Sequence, residues 1–233
     1  MCQLKSGIVL KDKIFMPEYD SHSQMLEELG IKDDYLGASK KFVRVELSPA
    51  DGDVFSNIDE WVLKVDQDIK PEWFSEEEYK PMIVEAVKEW AKKHIHIGVD
   101  GLRIDAGVNH YIKNCTNVQI RNSTVTARGN STVTARENST VTAWENSTVT
   151  AWENSTVTAR GNSTVTARGN STVTAWENST VTNDPYWIWY KQNALILSDN
   201  ATFKDKIGKV IYQSGDYKLI SVESGKKIGD QEG

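Results

Sequence analysis

The sequence predicts an α+β chain: a small N-terminal α/β domain over residues 1–97, a parallel β-solenoid with 16-residue coils over 98–206, and a C-terminal hairpin cap and tail over 207–233. Three observations carry this reading. Eight tandem copies of an octapeptide, Asn-Ser-Thr-Val-Thr-Ala-(Arg/Trp)-(Gly/Glu), occupy residues 122–182. Side chains within each copy alternate with the period of a strand. The seventh position varies in an order that selects two copies per coil. A unit this short hides its apolar face only by stacking on its neighbours, which is the logic of a repeat array.

The first domain is read from local signals. Ser21-His22-Ser23-Gln24 has the form of a capping box, Met25, Leu26 and Leu29 share one helical face, and Gly30 ends the turn. Phe42 to Leu47 alternates apolar with charged residues, and Trp61 to Val65 follows after an Asp/Gly/Ser/Asn-rich connection, so both read as strands of one antiparallel sheet. Ser75-Glu76-Glu77-Glu78 reads as a second capping box. Ile83, Val87, Trp90 and Ala91 then recur at helical spacing, and Pro81 is expected to kink or restart that helix.

From Gly98 the texture changes to short alternations such as Leu102-Arg103-Ile104-Asp105, read as entry coils, and Asn114-Cys115-Thr116-Asn117-Val118 reads as a degenerate repeat. The regular block ends at Thr182, before Asn183-Asp184-Pro185. Trp187, Trp189 and Tyr190 are read as an aromatic plug, and Asn200 to Lys204 as one more repeat with Phe203 at the valine position. Val210-Ile211-Tyr212 and Tyr217 to Ile220 flank Ser214-Gly215-Asp216 as a predicted hairpin.

Eight residues cannot circle a coil, since two strands and two turns need roughly twice that length at ~3.3 Å per residue. The seventh position runs Arg128, Arg136, Trp144, Trp152, Arg160, Arg168, Trp176. Two copies per coil stack Arg128, Trp144, Arg160 and Trp176 in one column and Arg136, Trp152 and Arg168 in another, each guanidinium one rung of ~4.8 Å from an indole. Three copies per coil would stack arginine on arginine. Within a copy, Ser, Val and Ala share one side, and both Thr and the Arg/Trp position share the other. Burying the arginines would cost more than a narrow interior could offset, so Ser123, Val125, Ala127 and their equivalents face inward. Asn at each corner is expected to take the left-handed backbone and to bond from coil to coil. Eight copies then make a rod of ~19 Å before its caps.

Charge narrows the partners. Residues 1–97 hold 20 Asp+Glu against 13 Lys+Arg, whereas the repeats hold four Arg and four Glu. A neutral stripe offers no counterion release, so nucleic acid is disfavoured as a partner. The N-terminal apolar run is too short for a signal-peptide core and no transmembrane span is evident, which points to the cytoplasm, where the Asn-Ser-Thr sequons would stay unglycosylated. Cys2 and Cys115 form no Cys-x-x-Cys pair, in keeping with a reducing compartment.

The unit Ser123-Thr124-Val125-Thr126-Ala127 resembles the strand of bacterial ice-nucleation repeats, and its Thr-x-Thr rows are similar to those of β-solenoid antifreeze proteins. Over nearly the whole chain, Ser6 to Leu10, Tyr19-Asp20-Ser21-His22, Val65 to Asp68, the repeats and Ile211 to Asp216 resemble uncharacterised octapeptide-repeat proteins of gut Firmicutes and their phages. That resemblance implies a context and a β-solenoid, with no activity attached.

Candidate sites follow. His94, His96 and Asp100 could ligate a metal, but their plainer reading is a polar junction between helix and first coil. Cys115 and His110 sit in no nucleophile elbow. The acidic stretch Asp66, Asp68 and Glu76–Glu78 reads as a solvated helix start. No Walker, Rossmann or zinc-ligand motif is present, so neither cofactor nor catalytic residue is expected. The strongest candidates are partner-binding residues: Arg128, Arg136, Trp144, Trp152, Arg160, Arg168 and Trp176, with Thr132 and Thr148 beside them, because Trp and Arg lead the composition of binding hot spots. The expected function is a non-enzymatic protein-binding or scaffolding solenoid, for example a phage-encoded inhibitor of a host system. The alternatives are ice binding and self-assembly as a homo-oligomer through faces or edges.

Overall fold

The computed structural model describes residues 4–32, 41–169 and 171–183, together with the backbone of residues 194–197, 202–204, 210–213 and 218–221. The chain forms two units, Met1–Ile95 and His96–Gly233.

The first unit is a four-stranded antiparallel sheet of order β2-β1-β3-β4, built from β1 (Lys5–Leu10), β2 (Ile14–Phe15), β3 (Phe42–Ser48) and β4 (Val62–Val65). Helix α1 (His22–Glu28) starts where the Ser21 hydroxyl accepts from the Gln24 N–H, and it ends at Gly30, whose φ of +67° lets Ile31 N–H reach back to Leu26 C=O. Helix α2 (Glu76–His94) runs through Pro81 without interruption. Its expected capping box is not made: Ser75 has the extended N-cap backbone, but its side chain forms no cap hydrogen bond. The carboxylates of Glu76, Glu77 and Glu78 occupy the first turn instead, where the helix dipole favours negative charge.

Both faces of the sheet are covered. Val9, Val43 and Val45 pack with Phe74, Tyr79 and Ile83 on the α2 side, while Ile8 and Phe42 pack with Met25 and Leu26 on the α1 side. The polar alternates of β3 therefore do not all meet water, and Glu46 is only 7% exposed.

The second unit is the predicted parallel β-solenoid. Strands β5 (Ile95–Ile97), β6 (Arg103–Ile104), β7 (Gly107–Lys113) and β8 (Val118–Arg121) form the entry coils. The repeats supply β9 (Ser123–Arg128), β10 (Thr132–Arg136), β11 (Thr140–Ala143), β12 (Thr148–Ala151), β13 (Thr156–Ala159), β14 (Thr164–Ala167), β15 (Thr172–Ala175) and β16 (Thr180–Asn183). Four further strands follow: β17 (Ala194–Leu197), β18 (Thr202–Lys204), β19 (Val210–Gln213) and β20 (Lys218–Ser221). They assemble two eight-stranded sheets, one ordered β19-β18-β16-β14-β12-β10-β8-β6 and the other β20-β17-β15-β13-β11-β9-β7-β5.

The coil period is sixteen. Val141 pairs with Val157 and Val149 with Val165, so alternate copies fall in alternate sheets. The inward set is as the alternation requires. Val125, Val141, Val157 and Val173 from one sheet and Val133, Val149, Val165 and Val181 from the other are nearly fully buried, with the alanines beside them. Burying each valine contributes roughly 1.5–3 kcal/mol against leaving it in water. The inward serines are satisfied: Ser139, Ser147, Ser155 and Ser163 each donate a hydroxyl to the carbonyl three residues earlier, at 2.6–2.8 Å. Cys115 joins the same core, and Phe203 takes the valine register opposite Val181.

Two expectations are corrected. Asparagine takes the expected left-handed backbone at Asn114, Asn117 and Asn122, but from Gly129 onward the left-handed corner is the eighth position, with positive φ at Gly129, Glu137, Glu145, Glu153, Gly161, Gly169 and Glu177. The strain at the glutamates is offset because their carboxylates accept backbone N–H groups of the preceding coil, Glu145 from Gly129 at 2.8 Å and Glu153 from Glu137 at 3.0 Å. The asparagines do bond between coils, as Asn138 does to Asn122 and Asn162 to Asn146. The second correction concerns the C-terminal strands, which do not form a hairpin. β19 pairs antiparallel with β18 and β20 antiparallel with β17, so they lie in different sheets and satisfy one sheet end each. The predicted plug at Trp187, Trp189 and Tyr190 lies outside the described residues.

Candidate functional site: the arginine and tryptophan columns

The seventh position sits where a strand turns the corner, and its backbone is held from both sides. The N–H groups of Trp144, Trp152, Arg160, Arg168 and Trp176 bond to the alanine carbonyl of the preceding coil at 2.8–2.9 Å. Their carbonyls accept the serine hydroxyl of the next copy, as in Trp144 with Ser147 and Arg168 with Ser171. With the main chain fixed, the side chains form stacks on a rigid frame.

Both predicted columns are present. In the first, the Arg128 guanidinium lies 5.7 Å from the Trp144 ring centre, and Arg160 lies 5.0 Å from Trp144 and 5.5 Å from Trp176. In the second, Trp152 is flanked by Arg136 at 5.6 Å and Arg168 at 4.4 Å. These distances are within cation–π range, at about 0.5–1 kcal/mol per exposed contact. The indoles are half-buried rather than freely exposed: Trp144 and Trp152 each lie between two guanidinium groups, and Trp176 lies against that of Arg160.

The two columns belong to different sheets. Arg128, Trp144, Arg160 and Trp176 end or follow strands β9, β11, β13 and β15, whereas Arg136, Trp152 and Arg168 end or follow β10, β12 and β14. Thr132 and Thr148 join the second column's face and are directly paired, in a row that continues through Thr164 to Thr180. The structure therefore groups the candidate residues into two separate surfaces.

The other candidates are engaged individually. His94 is buried, stacks on Trp90 with ring centres 4.8 Å apart and pairs with Glu18. Burial alone would raise the Glu18 carboxyl, but hydrogen bonds from His94 and Lys93 outweigh it and hold the group below its ordinary value. His96 stacks on His110 at 6.0 Å. Asp100 accepts from the Thr116 hydroxyl and the Asn117 amide, which lower its pKa. The Cys115 thiol is fully buried and donates to the His96 carbonyl at 3.3 Å, a packing role. Among the described residues, no helix is long and apolar enough to cross a membrane.

A cluster that sequence reasoning missed lies in the first unit, where one ligand atom from each of His22, Glu46 and Asp66 comes within 4.8 Å of the others. Its members lie at least twenty positions from one another in sequence, so no spacing motif marks them. Compared with known proteins, the chain matches no family model, no curated protein and no solved structure.

Proposed function

We propose that the solenoid is a non-enzymatic surface for binding or scaffolding another protein in the cytoplasm. The observation that supports this reading most is the pair of Arg/Trp columns. Seven residues of the two types that dominate binding hot spots are stacked on a backbone whose N–H and C=O groups are committed to the ladder. A partner would meet side chains already ordered, which lowers the entropy lost on association. An inhibitor carried by a phage against a host system is one role that fits a rigid surface of this kind, in keeping with the resemblance to repeat proteins of gut bacteria and their phages.

The test is cross-linked capture from the native host with the full chain and with a Trp144→Ala, Trp152→Ala, Trp176→Ala variant whose β-rich circular dichroism is intact. Loss of the captured protein in the variant is expected; undiminished capture discards the reading. One observation favours ice binding as a second reading: the threonines form unbroken rows, Thr132-Thr148-Thr164-Thr180 on one sheet and Thr124-Thr140-Thr156-Thr172 on the other. That reading requires thermal hysteresis from the purified protein, lost on Thr132→Leu with Thr148→Leu, and a solution that freezes like buffer eliminates it.

A further inference from the structure

We propose that the first unit carries a divalent transition-metal site formed by His22, Glu46 and Asp66, with zinc as its best-suited ion. The three residues reach one point from three segments: His22 opens α1, Glu46 lies in β3, and Asp66 follows β4. The tautomer of His22 follows from its partners. Nε2 lies 3.2 Å from the Val45 carbonyl, which can only accept, so Nε2 carries the proton. That leaves Nδ1 as the nitrogen turned towards the carboxylates, 3.5 Å from Asp66 Oδ2. Such a contact is favourable with a cation between the two atoms, either a proton on Nδ1 or a metal ion in its place. That separation is also close to the edge of a tetrahedron around an ion with bonds of ~2.1 Å. A histidine that donates its other nitrogen to a main-chain carbonyl is the usual arrangement of a metal-bound imidazole, with the ring oriented in advance.

Two further features point to the same place. Glu46 is a carboxylate only 8% exposed, and its ion-pair partner, Lys64, lies 3.4 Å away on a side chain that is 53% exposed. Lys64 also lies 3.8 Å from Asp66, so the half-exposed ammonium is shared between two carboxylates. Opposite Glu46 in the strand register is Ser6, and directly paired residues leave an antiparallel sheet on the same face. Ser6 is 1% exposed and its hydroxyl has no hydrogen-bond partner among the described residues. A buried hydroxyl without a partner is costly, and an ion or its bound water beside Glu46 would satisfy it. One imidazole nitrogen and two carboxylates suit zinc or manganese better than calcium, which takes oxygen ligands alone in greater number. The ion would tie the start of α1 to β3 and to the end of β4.

The experiment is calorimetric titration of the chelator-treated full chain with zinc chloride, together with cobalt substitution read by visible absorption and melting with and without zinc. One equivalent of zinc, a cobalt ligand-field band and a melting temperature that rises with zinc are expected. His22→Ala and the half-exposed Asp66→Asn should each weaken binding by about tenfold or more and abolish the zinc-dependent rise. Absence of stoichiometric binding would mean that His22 and Asp66 form a simple ion pair and overturns the site. Binding that survives both substitutions in folded protein would assign the ion elsewhere and overturns it equally.

Discussion

Glu145 holds a φ of +61°, and its neighbours along the repeats, Glu137, Glu153 and Glu177, do the same. A left-handed conformation costs an L-residue about 1–2 kcal/mol, which explains why glycine shares this position with glutamate. Glutamate is tolerated because its carboxylate reaches the N–H of the residue one coil earlier. Glu145→Ala keeps the strained φ and loses that hydrogen bond, whereas Glu145→Gly loses the bond and relieves the strain. The alanine variant should therefore be the less stable of the two by about 1 kcal/mol in chemical denaturation; equal midpoints would refute the account. The inward Ser, Val and Ala were legible from alternation alone, since an arginine cannot take their place. The role of Glu was not legible, because its hydrogen bond joins residues sixteen apart that only the closed coil brings together.

Columns are the scale at which the repeats gain their regularity. Arg160 lies over two indoles, those of Trp144 and Trp176, while Arg136 has one such contact, with Trp152. At about 0.5–1 kcal/mol per contact, Arg160→Ala should lower stability by about 1–2 kcal/mol and Arg136→Ala by about half as much. Urea denaturation of the two single variants checks the order, and the reverse order would separate the columns from stability. Simple arithmetic on the seventh position was enough to foresee both columns, because the order Arg, Arg, Trp, Trp alternates in each column only if two copies close a coil. Strands β19 and β20 were beyond such reasoning. Val210 to Tyr212 and Tyr217 to Ile220 carry every local sign of a hairpin, and what separates them is the unsatisfied end of each sheet, a feature of the assembled ladder.

Across the molecule, the spacing of the copies makes deletions informative. Removing residues 154–169 or residues 138–153 takes out one full coil in either case and leaves every later strand in its own sheet. The junctions differ. The first deletion sets Trp144 beside Trp176, and the second sets Arg128 beside Arg160 and Arg136 beside Arg168. Like charges at one rung repel, so the chain lacking 138–153 should melt several degrees below the chain lacking 154–169, and most clearly at low salt; coincident melts would show that the column order is immaterial. The solenoid was legible from its period, whereas the grouping of His22, Glu46 and Asp66 was not, since it depends on how a helix and two strands meet in a unit without repetition. The reversed polarity of the last two strands also bears on growth. A parallel stack of near-identical rungs is a template on which another molecule could propagate, as fibrils do. At β19 and β20 the stack ends on strands that run against it, so an incoming molecule meets a rung unlike the parallel, near-identical rungs before it.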